Sequence, residues 1–214
     1  MSLTLYFKVL YMRNSAEEDL FHIRNIMEKS TRFLSLSGLS GISAGIVALV
    51  GAGFAWNMIG SAGTDAMNPG IWGRTVLSDK LIMLLGIIFV VAVGLAVFFT
   101  VRKSRKNHLK IWTSVSKHFL INLFVPLFAG GIFCIALWHA GVVVMLGSAM
   151  LIFYGLALLN ASKYTFAEIN KLGYLEILLG LVSLFFPGYG LVFCTIGFGL
   201  LHIIYGAIMY VKYH

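Results

Sequence analysis

The stretch LIMLLGIIFVVAVGLAVFFTVRKSRKNHLK, residues 81–110, decides the fold. Its first 21 residues carry no charge. Wound as a helix they extend about 31 Å, enough to cross the hydrocarbon core of a bilayer. Arg102, Lys103, Arg105, Lys106 and Lys110 follow at once. A basic cluster at the end of an apolar run marks the end of a span that stays in the cytoplasm.

The rest of the chain repeats this pattern. With 59% hydrophobic and 11% charged residues and a mean hydropathy of +0.91, 214 residues are too apolar for a soluble globular domain. The expected fold is all-α, a polytopic six-transmembrane-helix bundle. Spans are expected over residues 33–59, 81–101, 116–138, 141–160, 172–186 and 189–211, behind a cytoplasmic N-terminal segment over 1–32. The fifth is short, and Asn170 and Lys171 serve as its interfacial end.

Charge sets the orientation. With six spans, 14 of the 16 Lys and Arg fall on one side, and only Arg74 and Lys80 fall on the other. Both termini are therefore expected in the cytoplasm, and the protein in a bacterial cytoplasmic (inner) membrane. Trp56 and Trp138 suit the outer interface; Trp112, Tyr164, Tyr174 and Tyr210 suit the inner one. The apolar first eleven residues lack a basic leading region and a small-residue cleavage site, so the first span is expected to act as its own insertion signal. Met12 reads as an alternative start, which would make residues 3–11 an upstream extension.

Ser15 and Glu18 form a capping-box pattern ahead of Leu20, Ile23 and Met27, which predicts an amphipathic helix over 15–29. It is either an interfacial lead-in to the first span or a docking helix for a partner. Ser37, Gly41 and Gly45 recur at four-residue spacing, a helix-packing stripe that serves either the same chain or a homo-oligomer. Asp65, Arg74 and Asp79 lie in the long outer connector, whose glycines and Pro69 argue for turns. They are candidate contacts for a solute or partner, against the plainer reading of an ordinary loop.

Tyr154 and Gly155 in the fourth span match Tyr205 and Gly206 in the sixth, each preceded by a similar apolar pair. That suggests a duplicated hairpin, as in transporters with repeats about an axis along the membrane normal. The stretch LGLVSLFFPGYGLVFCTIGFGLLHIIYGAIM, residues 179–209, resembles the hairpin unit of acid-resistance membrane proteins built from repeated two-helix units, with Gly180, Pro187 and Gly206 at the matching places. STRFLSLSGLSG, residues 30–41, is similar to a segment of uncharacterised bacterial six-span membrane proteins. These resemblances imply fold and location, and the first a stress-related setting.

Ionisable side chains within spans are costly, so they are where function is sought first. Glu176 is expected about four residues into the fifth span. His118 and Asn122 share one face near the inner end of the third, where they are expected to meet it. His202 lies deeper, in the sixth. Together these four make a candidate polar pathway; interfacial pairing of Glu176 and an ordinary interhelical hydrogen bond from His202 are the plainer readings. Cys134 and Cys194 have no metal or redox spacing, no HExxH, GxSxG, CxxC or P-loop occurs, and no cofactor is expected. The basic run over 102–110 suits anionic lipid headgroups. The charge of +8 needs no nucleic acid partner. The leading expectation is a non-enzymatic membrane component with a stress-related, regulatory or assembly role; a small oligomeric proton-linked transporter or channel is the alternative, and an intramembrane enzyme the third.

Overall fold

The computed structural model describes residues 37–61, 76–108 and 111–213, and the regular structure among them is helical, without strands. The helix expected over 15–29, and Asp65 and Arg74, lie outside the described residues. Six helices follow one another: α1 (Gly38–Ser61), α2 (Val76–Lys106), α3 (Ser114–His139), α4 (Leu146–Ser162), α5 (Ala167–Ser183) and α6 (Gly190–Tyr213). A single 3-10 turn, Val143–Met145, leads into α4, and α6 runs through a π-helical segment, Thr195–Leu201. With that 3-10 turn counted into α4, all but α5 are long and apolar enough to cross a membrane. Large apolar side chains cover the outer surface, with Met83 and Phe128 each 71% exposed. A water-facing protein would bury such residues; this is a membrane protein.

Local chemistry sets the helix ends. Thr113 and Ser116 exchange capping hydrogen bonds of 2.8 and 3.1 Å at the start of α3. Helix α2 continues past residue 101 because Lys103, Arg105 and Lys106 in its last turn complement the helix dipole, as Asp79 does in its first. Gly141 and Gly188 turn the chain at φ of +78° and +93°, where side chains are strained.

Helix α5 starts at Ala167, ahead of the polar residues at which the sequence pattern breaks off. Asn170 and Lys171 project from its exposed side, while Glu168 is buried against α6. The earlier start moves Glu176 from the mouth of the helix to its middle, about 14 Å from Ala167.

Two helix interfaces carry the bundle. Between α1 and α6, an added Cβ at Gly38 would meet Gly206 and Tyr210, and one at Gly45 would meet Gly199 and Ile203. Between α5 and α4, a Cβ at Gly173 would meet Gly155 and Leu159, and one at Gly180 would meet Ser148 and Ile152. Gly206 in turn faces Gly38 and Ile42; Gly155 faces Gly173 and Ile177. The two sets match residue for residue at constant spacing, so α1 corresponds to α5 and α6 to α4. Small residues let the backbones approach in both copies, where dispersion between packed atoms holds helices together in lipid. The Gly41 and Gly45 stripe thus meets α6 of the same chain, and Ser37 beside it is buried.

Helix α2 packs chiefly on α1, and α3 chiefly on α4. The bundle is therefore two groups, α1 with α2 and α6, and α3 with α4 and α5. They meet chiefly where α6 lies against α4 and α5.

Candidate functional site

Glu176 is fully buried at this meeting of the two groups. Its carboxyl fits against α6 because residue 197 is glycine: a Cβ there would overlap Glu176 Oε2 and the Leu151 side chain. The π-helical segment carries Gly197 and Gly199 and ends next to His202, the first residue of the α-helical turns that follow. Such single-turn departures from α geometry recur at functional sites.

His202 is buried about 16 to 18 Å from both ends of α6. Its Nδ1 lies 3.0 Å from the Gly197 carbonyl oxygen. A carbonyl only accepts, so Nδ1 carries the hydrogen and donates it there. The Tyr154 hydroxyl, from α4, lies 2.6 Å from Nε2 and donates to it when the ring is neutral. Both ring nitrogens are satisfied, and of the two neutral tautomers the contacts select Nδ1–H.

Glu176 Oε1 is 3.4 Å from the same Nδ1. That is ion-pair range, yet neither carboxyl oxygen has a hydrogen-bond partner among the described residues. The two observations agree once direction is considered, because the Nδ1 hydrogen points at Gly197. The rings of Tyr154, Phe198 and His202 lie 5.2 to 6.2 Å apart, closing an aromatic cluster beside the carboxyl.

The other pathway residues lie elsewhere. His118 Nδ1 is 2.7 Å from the Ser114 carbonyl oxygen, and its ring stacks on Tyr164 at 5.7 Å. Asn122 donates to the His118 carbonyl at 2.8 Å, and its own carbonyl accepts from Asn160 at 3.1 Å. Both are held by α3 backbone, His118 also by Tyr164 just beyond α4 and Asn122 by Asn160 within it, so of the four pathway residues the structure brings together Glu176 and His202. Asp79 accepts from Trp138 Nε1 at 3.2 Å, which ties the first turn of α2 to the last turn of α3. Cys134 and Cys194 are free thiols.

Tyr154 and Gly197 were missed from sequence as members of the site. The Tyr–Gly pair at 154 and 155 stands out only as a repeat, and Gly197 is one of 23 glycines. No signal in the sequence pairs Gly197 with Glu176, because the apolar pattern places Glu176 near the end of its helix.

Among the described residues no group of three or more His, Cys, Asp and Glu side chains is placed to hold a metal ion. What the arrangement can do is take up and release a proton: a carboxyl with unpaired oxygens stands one small movement from an imidazole N–H, whose ring is buttressed by a phenol. No family model matches this chain, and neither a curated protein nor a solved structure is significantly similar to it.

Proposed function

We propose that this is a proton-linked transporter or channel of the bacterial cytoplasmic membrane, in which Glu176 binds the coupled proton and His202 and Tyr154 respond to it. The carrying observation is the pair of unpaired Glu176 oxygens in a fully buried position between two helix groups. Leaving a buried polar group unpaired costs about 1 to 3 kcal/mol, and a burden of that size at a functional position is relieved by changing state. An ionised Glu176 attracts the Nδ1 hydrogen away from Gly197; a neutral one leaves it there. Proton binding is thereby tied to the π-helical turn and to how α5 lies against α6. A site at the junction of matching helix pairs suits rocking of one group against the other.

The accompanying topology has six spans, with α5 as the short fifth, and both termini in the cytoplasm. The distribution of Lys and Arg supports it. Arg102, Lys103, Arg105, Lys106 and Lys110 then meet anionic headgroups of the inner leaflet. A second reading, a stress-related, regulatory or assembly component acting through helix packing, draws on the glycine seams and on the resemblance of residues 179–209 to the acid-resistance hairpin unit.

Dicyclohexylcarbodiimide, an apolar reagent that modifies protonated carboxyls, separates the two. The transport reading expects modification at Glu176, declining as pH rises, together with a proton flux into proteoliposomes that Glu176→Gln abolishes. An unmodified Glu176 and a flux indifferent to the substitution would overturn it and leave the packing component.

A further inference from the structure

Helices α5 and α6 run antiparallel, and a second polar contact joins them one end away from the site. Lys212 Nζ donates to Glu168 Oε1 at 2.5 Å and the Tyr213 hydroxyl donates to Oε2 at 2.9 Å. The Tyr213 ring packs on Phe166 with centroids 4.2 Å apart, and Lys103 of α2 lies 5.8 Å over the same Phe166 ring. All three helices are fastened at this point. Glu168 precedes Glu176 by eight residues on α5, about 12 Å. The intervening layer is apolar: Leu158, Ile169, Leu172 and Met209 form one buried cluster with Phe166.

We infer that Glu168, Lys212 and Tyr213, with the Leu172 and Met209 layer beneath them, are the gate that closes the Glu176 site on the side where α6 ends. The inference rests on the transport reading and identifies its entrance. Elsewhere the two groups meet through the Trp138–Asp79 hydrogen bond at the far end of α2 and through contacts without charge, such as Gly147 against Gly190 and Cys194. The clasp differs in kind. The Lys212 side chain is 57% exposed and Glu168 only 11%, so water and ions reach one partner and compete for it. Opening it frees α5 from α6 without breaking either glycine seam. The apolar layer then parts along the surface that separates the two groups.

The test places a single cysteine at the site, Glu176→Cys with Cys134→Ser and Cys194→Ser, in membrane vesicles of both orientations, and follows labelling by a membrane-impermeant maleimide. With the clasp intact, position 176 is expected to be protected from the α6-terminal side. Combining Glu168→Gln with Lys212→Ala is expected to speed labelling several-fold from that side alone, and Tyr213→Phe to do so to a smaller degree. The exchanged pair, Glu168→Lys with Lys212→Glu, is expected to restore protection, which a general loss of folding would not do. Unchanged labelling in clasp variants that keep their gel-filtration profile, or no recovery in the exchanged pair, would overturn the gate. Carbodiimide modification of Glu176 in the otherwise unaltered protein reads proton binding separately, so a failed gate and a failed proton site give different results.

Discussion

Glu176 occupies on α5 the position that Gly41 occupies on α1. Gly41 lies three residues after Gly38 and faces Gly206 and the His202 carbonyl across the α1 and α6 seam. Glu176 lies three residues after Gly173 in the matching seam of α5 and α4. One copy of the interface is complete with a hydrogen at this place. The carboxyl in the other copy is therefore no requirement of packing, and its burial opposes folding.

Glu176→Gln is accordingly expected to leave the folded protein at least as stable as before, because a buried group that can ionise is replaced by a neutral amide of the same shape. Thermal unfolding in detergent micelles checks this. A packing role for the carboxylate would give the opposite sign. Proton flux into proteoliposomes should fall in the same variant, which separates stability from function.

Gly197→Ala would drive a methyl group into the Glu176 carboxyl and Leu151. Overpacking of this kind costs about 1 to 3 kcal/mol. Combining it with Glu176→Ala removes one of the two obstacles, so the double variant is expected to lose less than the sum of the single ones. Additive losses would mean that the carboxyl does not fill the space left by Gly197.

Tyr154→Phe removes one hydrogen bond, the contact to His202 Nε2, leaves that buried nitrogen without a partner, and is expected to cost about 1 to 3 kcal/mol. Its sharper effect is on the imidazole, whose neutral tautomer loses one of two fixed partners. The pH dependence of proton flux should move in Tyr154→Phe, while Tyr164→Phe, whose ring stacks on His118 outside the site, should leave it in place.

Much of this architecture is legible from hydropathy alone, because long apolar segments interrupted by charge have few alternatives in a bilayer. The small-residue stripe of α1 and the Tyr–Gly repeat were also visible in sequence. Their meaning was not: Gly155 and Gly206 mark two copies of one seam, and the sequence pattern gives no partner for either. The site itself was half legible. Glu176 and His202 stand out as ionisable residues within apolar runs, but an apolar window ends the fifth helix at its polar residues. That put Glu176 level with His118 and Asn122. The earlier start of α5 goes with the burial of Glu168 against Lys212 and Tyr213, and that contact joins residues 44 and 45 positions apart. The π-helical turn has no periodic signature, since it changes the register of one helix by a single residue.

The matched seams are expected to respond alike to the same substitution. A Cβ at Gly155 would stand 2.6 Å from the Gly173 carbonyl, and one at Gly206 would stand 2.6 Å from the Ile42 amide. Backbone cannot swing aside as a flexible side chain does, so in each case the helices must separate. Gly155→Ala and Gly206→Ala are therefore expected to destabilise by similar amounts, about 1 to 3 kcal/mol each. Gly131, mid-helix on α3, has nothing within 4 Å of an added Cβ. Gly131→Ala should be neutral, or stabilising by up to about 1 kcal/mol through the lower flexibility of the unfolded chain. Unfolding midpoints of the three variants in one detergent test the correspondence directly: a large loss at 155 with none at 206 would show that the two seams are alike in sequence spacing but not in packing.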